Sequence, residues 1–170
     1  LLTVAQANSS GTVDASNAGT ITGTAEQIID AYDDSTITEA SDVALTVNTA
    51  NSGTATLTQA RSLDGLTTGV VTATIAATDL SDLLDNSTPL LDANGNNAFT
   101  ITIGSGDAEV SAADLNTLNG LTTVDIDAGN VTTISNSTLD AINTLYTSGG
   151  FSGLGDQDIT ASDSGSIAAS

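Results

Sequence analysis

Cysteine, histidine, methionine and tryptophan are absent from this 170-residue chain, and Arg61 is its only basic side chain. Without His or Cys there is no imidazole base, no thiolate nucleophile and no imidazole or thiolate metal ligand. Without Lys, Schiff-base chemistry and the phosphate-gripping lysine of a P-loop are excluded as well. Carboxylates, hydroxyls, amides, Tyr32 and Tyr146 remain. A glycosidase needs only two carboxyl groups, but Phe99, Phe151 and the two tyrosines are the whole aromatic stock from which a sugar platform could be built. The expectation is that the protein is not an enzyme. No run of about 18 apolar residues occurs, so no membrane insertion is expected. No basic stretch precedes a signal-like segment.

The charge is one-sided too. Twenty-one acidic residues against one arginine leave a net charge of −20. Nucleic acid is excluded as a partner because phosphate binding needs Lys and Arg, and anionic membrane surfaces are excluded for the same reason. Such acidity suits a protein in saline water, where counterions screen self-repulsion, or one that binds divalent cations. Apolar residues make up 39% of the chain, with only 2% aromatic. A core of Ala, Val, Ile and Leu favours many thin layers over one thick globule. The regular apolar pattern argues against disorder despite the charge.

What the chain does have is internal repetition, the primary signal to test for. Asp64-Gly65-Leu66-Thr67-Thr68 recurs 55 residues on as Asn119-Gly120-Leu121-Thr122-Thr123. Val43–Val47 aligns with Ala98–Thr102 at the same spacing. Gly69–Thr74 aligns with Thr123–Ala128, and Gly11–Ser16 and Gln157–Ser162 read as further copies of that strand. Each unit splits into two halves of about 27 residues, each a short β-rich run, a Gly/Asn/Ser/Asp turn, a second run and a short helix. The helices are placed at Ala25–Tyr32, Leu57–Leu66, Thr78–Asn86, Ala112–Leu121 and Thr138–Tyr146. Capping-box spacing marks starts at Thr24/Gln27, Thr56/Gln59, Ser111/Asp114 and Ser137/Asp140.

A unit of this kind cannot bury its apolar side alone, whereas stacked copies can. The expected fold is therefore a repeat solenoid, a parallel β-solenoid with short α-helices in each coil. The alternative is a β-sandwich. The array comprises a partial repeat 1–42, repeats 43–97 and 98–156, and a partial repeat 157–170. A chain beginning without Met and stopping at Gly165–Ser170, where another helix lead-in starts, reads as an excised piece of a longer one.

The phrases Thr20-Ile21-Thr22-Gly23-Thr24-Ala25-Glu26, Ala113-Asp114-Leu115-Asn116-Thr117-Leu118 and Gly153-Leu154-Gly155-Asp156-Gln157-Asp158-Ile159 resemble Thr/Ala/Asp/Gly-rich tandem repeats. Such repeats occur in giant secreted surface proteins of aquatic Gram-negative bacteria and cyanobacteria. The resemblance implies export and a role in an adhesin, surface layer, sheath or filament, and similar arrays occur in phage fibres. It carries no catalytic motif. Calcium-binding nonapeptide repeats often accompany such proteins, and Gly149–Asp156 echoes their pattern loosely.

Candidate sites are few. Asp92, Asn94 and Asn96 alternate as at the opening of an oxygen-ligand calcium loop, without the acidic residue that closes an EF-hand; a polar turn between coils, where Asn-Gly is favoured, is the preferred reading. Asp125 and Asp127 share one face of a strand and could chelate, or simply be solvated. The triplets Thr20/Thr22, Thr54/Thr56, Thr72/Thr74 and Thr100/Thr102 could stack into an ice-binding threonine ladder, or could be ordinary strand residues pairing across coils. Arg61 has Asp64 one helical turn on. Tyr32 and Tyr146, each closing a helix, are expected to plug the edge of the core.

The leading functional expectation is an extracellular or cell-surface structural repeat module of a filament, fibre or surface layer. It would associate with itself end to end or continue in the same repeat chain. The alternatives are a calcium-dependent adhesin or surface-lattice module, an ice-binding ladder, and a phage fibre segment with a cell-surface or glycan partner.

Overall fold

A computed structural model describes residues 11–48, 53–85 and 95–164. Alternating apolar residues in Thr-rich runs form short strands, and each capped apolar stripe forms a short helix. The order is β1 (Val13–Ala15), β2 (Thr20–Gly23), α1 (Ala25–Asp33), β3 (Ile37–Glu39), β4 (Ala44–Val47), β5 (Thr54–Ala55) and α2 (Leu57–Leu66). There follow β6 (Val71–Ile75), α3 (Leu80–Leu83), β7 (Ala98–Thr100), β8 (Glu109–Val110) and α4 (Ala112–Asn119). Last come β9 (Ile126–Asp127), β10 (Thr133–Ser137), α5 (Leu139–Ser148), β11 (Phe151–Ser152) and β12 (Asp158–Ala161). The fold is mixed α/β with five short helices among the described residues.

The helix starts follow capping chemistry. Thr24 Oγ1 accepts from Gln27 N at 3.2 Å while Gln27 Oε1 accepts from Thr24 N at 3.0 Å. Thr56 and Gln59 repeat the same reciprocal pair. Each box satisfies two amides that a helix start would otherwise orphan. Ser111 Oγ accepts from Asp114 N at 3.1 Å. At α5 the expected pair Ser137/Asp140 is displaced by one residue: Thr138 is the cap and accepts from Ala141 N at 3.2 Å. Helix α3 is a single turn within the expected Thr78–Asn86, whose last residue lies outside the described residues.

Every strand pair among the described residues is parallel. The largest sheet runs β2-β4-β6-β5 with β7 also on β6, a second runs β8-β10-β12, and β1-β3 and β9-β11 form two-stranded sheets. The parallel pairing overturns the β-sandwich alternative, because sandwich sheets are antiparallel. Parallel strands need a long crossover between partners, and here the crossover has nearly constant length. Thr20 faces Ala44, Leu45 faces Val71, Thr72 faces Ala98, Glu109 faces Thr133, Ile126 faces Phe151 and Thr133 faces Asp158, a step of 24–26 residues. The β5–β6 pair, Thr54 with Thr74, has a step of 20. The step is a little shorter than the half-unit of about 27 that the sequence suggested.

Inward positions line up across these pairs. Ile21 faces Leu45, which faces Val71, and Val110 faces Ile134, which faces Ile159. One continuous apolar cluster extends from Ile21 to Leu145, and a small one gathers Ala15, Ala31 and Ile37. Helix α1 packs on α2 and α4 on α5, so the helices stack as the strands do. One sequence alignment needs correction here. At a spacing of 55, buried Leu45 would match exposed Thr100; by strand register Thr46 faces Thr72, which faces Ala98, so the ladder returns after 52 residues and Leu45 lines up with buried Asn97. The difference matters because a slip by an odd number of residues exchanges the two faces of a strand.

Two glycines mark where successive turns touch. A Cβ on Gly69 would fall 2.7 Å from the Val43 carbonyl oxygen. Gly153 has φ +79, and a Cβ there would lie 2.7 Å from the Gly129 Cα. Both sites require backbone against backbone, which a side chain prevents.

Phe99 is the largest of the fully buried side chains. Truncating it to Ala is expected to cost about 3–5 kcal/mol through lost burial and the cavity left behind, read as a lower urea midpoint with unchanged slope.

Candidate functional site

Between α3 and the start of α4 lies a groove of about 750 Å³ whose lining includes Leu80, Leu84, Asp107, Glu109, Asp114 and Asn136. Two of its three carboxylates are already engaged. Asp107 Oδ2 accepts from Leu80 N at 2.7 Å, and Asp114 Oδ2 accepts from Ser111 Oγ at 2.7 Å. Glu109 is exposed. Among the described residues no group of three or more His, Cys, Asp or Glu side chains could hold a metal ion. The groove is acidic and open, and its carboxylates serve mainly to tie the chain together.

The tie is a recurring device. Leu80, Ala112 and Leu139 are the first residues of α3, α4 and α5, and each has an amide free of intrahelical partners. Leu80 N donates to Asp107, Ala112 N to Ser137 Oγ at 2.8 Å, and Leu139 N to Asp163 Oδ2 at 2.6 Å. Each acceptor lies 24–27 residues downstream, in the unit that stacks next. Ser137 reaches its place through a bulge: β10 shifts register between Ile134 and Ser137, and Asn136 adopts φ 48. Asn tolerates this left-handed conformation better than most residues, and the bulge turns Ser137 inward. This accounts for Ser137 failing as the α5 cap. Its oxygen serves α4.

Side-chain amides extend the pattern. Asn116 Nδ2 donates to Ala141 O at 2.9 Å, Asn130 Nδ2 to Ile103 O at 2.8 Å and Gln157 Nε2 to Val131 O at 3.2 Å. Asn97 is the most deeply involved. By the register of Thr72 with Ala98, it follows Val71 in the inward ladder begun by Ile21 and Leu45. Only 2% exposed, it accepts from Val71 N at 2.8 Å through Oδ1 and donates through Nδ2 to Asp64 Oδ1. Its carbonyl accepts from Thr123 N at 2.9 Å.

The two sequence copies around Thr67 and Thr122 occupy matching surroundings. Thr67 Oγ1 donates to Val43 O at 2.6 Å and accepts from Gly69 N; Thr122 Oγ1 donates to Phe99 O at 2.8 Å and accepts from Val124 N. Thr68 Oγ1 donates to Ser41 O at 3.2 Å and Thr123 Oγ1 to Asn97 O at 3.1 Å.

The sequence-derived site residues fare unevenly. Asp92 and Asn94 lie outside the described residues, as does the Gly165–Ser170 lead-in. Asn96 is half-buried, and its Oδ1 is buried with no hydrogen-bond partner. Asp125 and Asp127 are both exposed, and Asp127 Oδ1 accepts from Gly129 N at 3.0 Å in a local turn. Arg61 reaches further than the local pair suggested: its guanidinium donates to the Asp82 carbonyl at 3.0 Å, at the end of α3. A cation there suits the helix dipole. Tyr32 is half-buried against the core, but Tyr146 is 40% exposed and donates to Gln157 Oε1 instead of plugging an edge.

Burial pushes the Glu39 carboxyl above its ordinary value; a hydrogen bond from its own amide opposes this and the Asp34 charge adds to it. Tyr32 is pushed up by burial and then by Glu39. The Tyr32 hydroxyl and Glu39 Oε1 are both buried without partners. Asp14 and Asp34 move the other way, because the hydroxyls and amides of Ser16 and Thr36 donate to the charged form. Comparison of the chain with protein families, curated proteins and solved structures finds no match.

Two predictions follow from these contacts. Replacing Asn97 with Leu orphans the buried Val71 amide and the bond to Asp64, at an expected cost of about 1–3 kcal/mol in urea denaturation. For Glu39 the folded-state pKa lies above the unfolded value, so charging it opposes folding: its contribution is intact below about 4.5 and is lost as pH rises through the raised value. Glu39→Gln should therefore be more stable than the parent at neutral pH, with the difference shrinking as pH falls through that window.

Proposed function

We propose that the chain is a structural repeat module of an extracellular filament, fibre or surface layer, built as a parallel β-solenoid with a short helix in most coils. The observation that carries this reading is the near-constant step: apart from β5–β6, the strand pairs, together with the first-amide bonds of three helices and most side-chain amide stitches, link residues 24–27 apart. A single coil repeated along an axis produces that regularity, and parallel hydrogen bonding between coils stiffens the rod. The proposal assigns no catalytic step.

The last described strand supports continuation. Ile159 occupies the inward ladder position after Val110 and Ile134, yet is 48% exposed while Ile134 is fully buried. Among the described residues, β12 pairs on one side only. Another coil, from the same chain or a second copy, would cover it, since an open parallel edge invites pairing. The acidic surface would then be displayed along a rod in a saline exterior, and no helix among the described residues is long and apolar enough to cross a membrane.

Small-angle scattering and negative-stain microscopy should show elongated particles that lengthen with concentration. Ile159→Lys should shorten them while leaving the circular dichroism unchanged. Compact particles with no concentration dependence would sink the proposal.

A further inference from the structure

The β2-β4-β6-β7 sheet has an outward face unlike the rest of the surface. Its outward positions are Thr20 and Thr22, Ala44 and Thr46, Val70, Thr72 and Thr74, then Ala98, Thr100 and Thr102. These ten carry seven threonines and no charge, in a chain whose net charge is −20. None of the ten is buried. The strands are in register: Thr22 faces Thr46, Thr46 faces Thr72, and Thr74 faces Thr100. Neighbouring strands lie about 4.8 Å apart and alternate residues along a strand about 6.7 Å apart, so the hydroxyls and methyls form a two-dimensional grid.

The hydroxyls on this grid are idle. Elsewhere, threonine Oγ1 atoms bond across units, as at Thr67, Thr68, Thr122, Thr123 and Thr132. The seven hydroxyls at these positions make no hydrogen bond to another described residue, whereas Thr54 of β5, which faces Thr74 in the same sheet, is engaged. Cross-strand pairing of Thr hydroxyls, the ordinary use of stacked threonines, is thus not what these side chains do. Each offers a donor and two acceptors to solvent, beside a methyl group that favours ordered water around it.

We propose that this face binds the surface of ice. The two grid spacings lie close to the oxygen repeats of a prism face of hexagonal ice, so ordered waters anchored on the threonines would join the lattice. A charged face would hold its own hydration shell and be rejected by the crystal; the ten positions carry no charge, and the grid ends at Asp127, which pairs beside Thr102. The inference depends on the strand register and not on the filament role, so either can fail alone.

The test is partitioning of the purified chain into slowly grown ice, with measurement of thermal hysteresis and crystal shape. The parent should be enriched severalfold over a bystander protein of like size and should facet the crystals. Thr72→Lys and Thr22→Lys, each checked for an unchanged melting transition, should bring enrichment down to the bystander level. Asn143→Lys, on the exposed side of α5, should leave it intact; two separate face variants guard against one failing to fold. Exclusion of the parent from ice, or retention of both face variants, overturns the proposal. So does a dimer broken by Thr72→Lys, which would assign the face to a second copy.

Discussion

Each strand–helix unit of this chain offers a few small aliphatic side chains, and those cannot offset the backbone and side-chain entropy lost in ordering some 25 residues. The inward residue of one strand must therefore be covered by the inward residue of the strand one step later. Ile21, Leu45 and Val71 show the arrangement, as do Val110 and Ile134. Parallel registration between units is the constraint from which the rest follows. It sets the helix stack, the backbone contacts at Gly69 and Gly153, and the two opposite faces of the main sheet.

Registration also changes how polar groups are satisfied. A helix start has amides with no intrahelical partner, and ordinary helices use their own cap residue. At α4 and α5 the cap residues Ser111 and Thr138 handle an amide further in, while Asp79 at α3 makes no side-chain cap bond; the first amide of all three helices is taken by Asp107, Ser137 or Asp163 from the following unit. Asn97 goes further by entering the apolar ladder itself and replacing a ladder bond with its side chain. These bonds exist only when two units are stacked in the right register, so they add specificity to a core that is otherwise uniform. The acidic side chains remain mostly at the surface, where salt screens them.

Several features were legible without coordinates because they are local. Thr24/Gln27 and Thr56/Gln59 close their boxes within one helical turn, and the bounds of α2 follow from its cap and stripe. Others were not legible because they depend on a partner in another unit. Ser137 and Asp140 have the right spacing for a cap, but the β10 bulge commits Ser137 to the Ala112 amide. The Val43–Val47 alignment fails by three residues in the strand register because the loops between units differ in length. Asp107 and Asp163 look like ordinary surface acids; a spacing of 24–27 residues to a helix start was the signal available, and it gains meaning only once the step is known. Asp92 and Asn94 stand outside the described residues.

The amino-acid sequence by itself determined what short-range chemistry can determine: the absence of imidazole, thiol and lysine, the alternation of strands, the helix starts and the fact of repetition. Only the tertiary structure decided which residues share a line. Whether Thr22, Thr46 and Thr72 form one row, or buried Leu45 lines up with Thr100 or with Asn97, depends on loop lengths that differ by a few residues between units. Side-chain direction in a strand has a period of two, so an error of one residue in counting along the chain exchanges core for surface. Stacking in space removes that ambiguity.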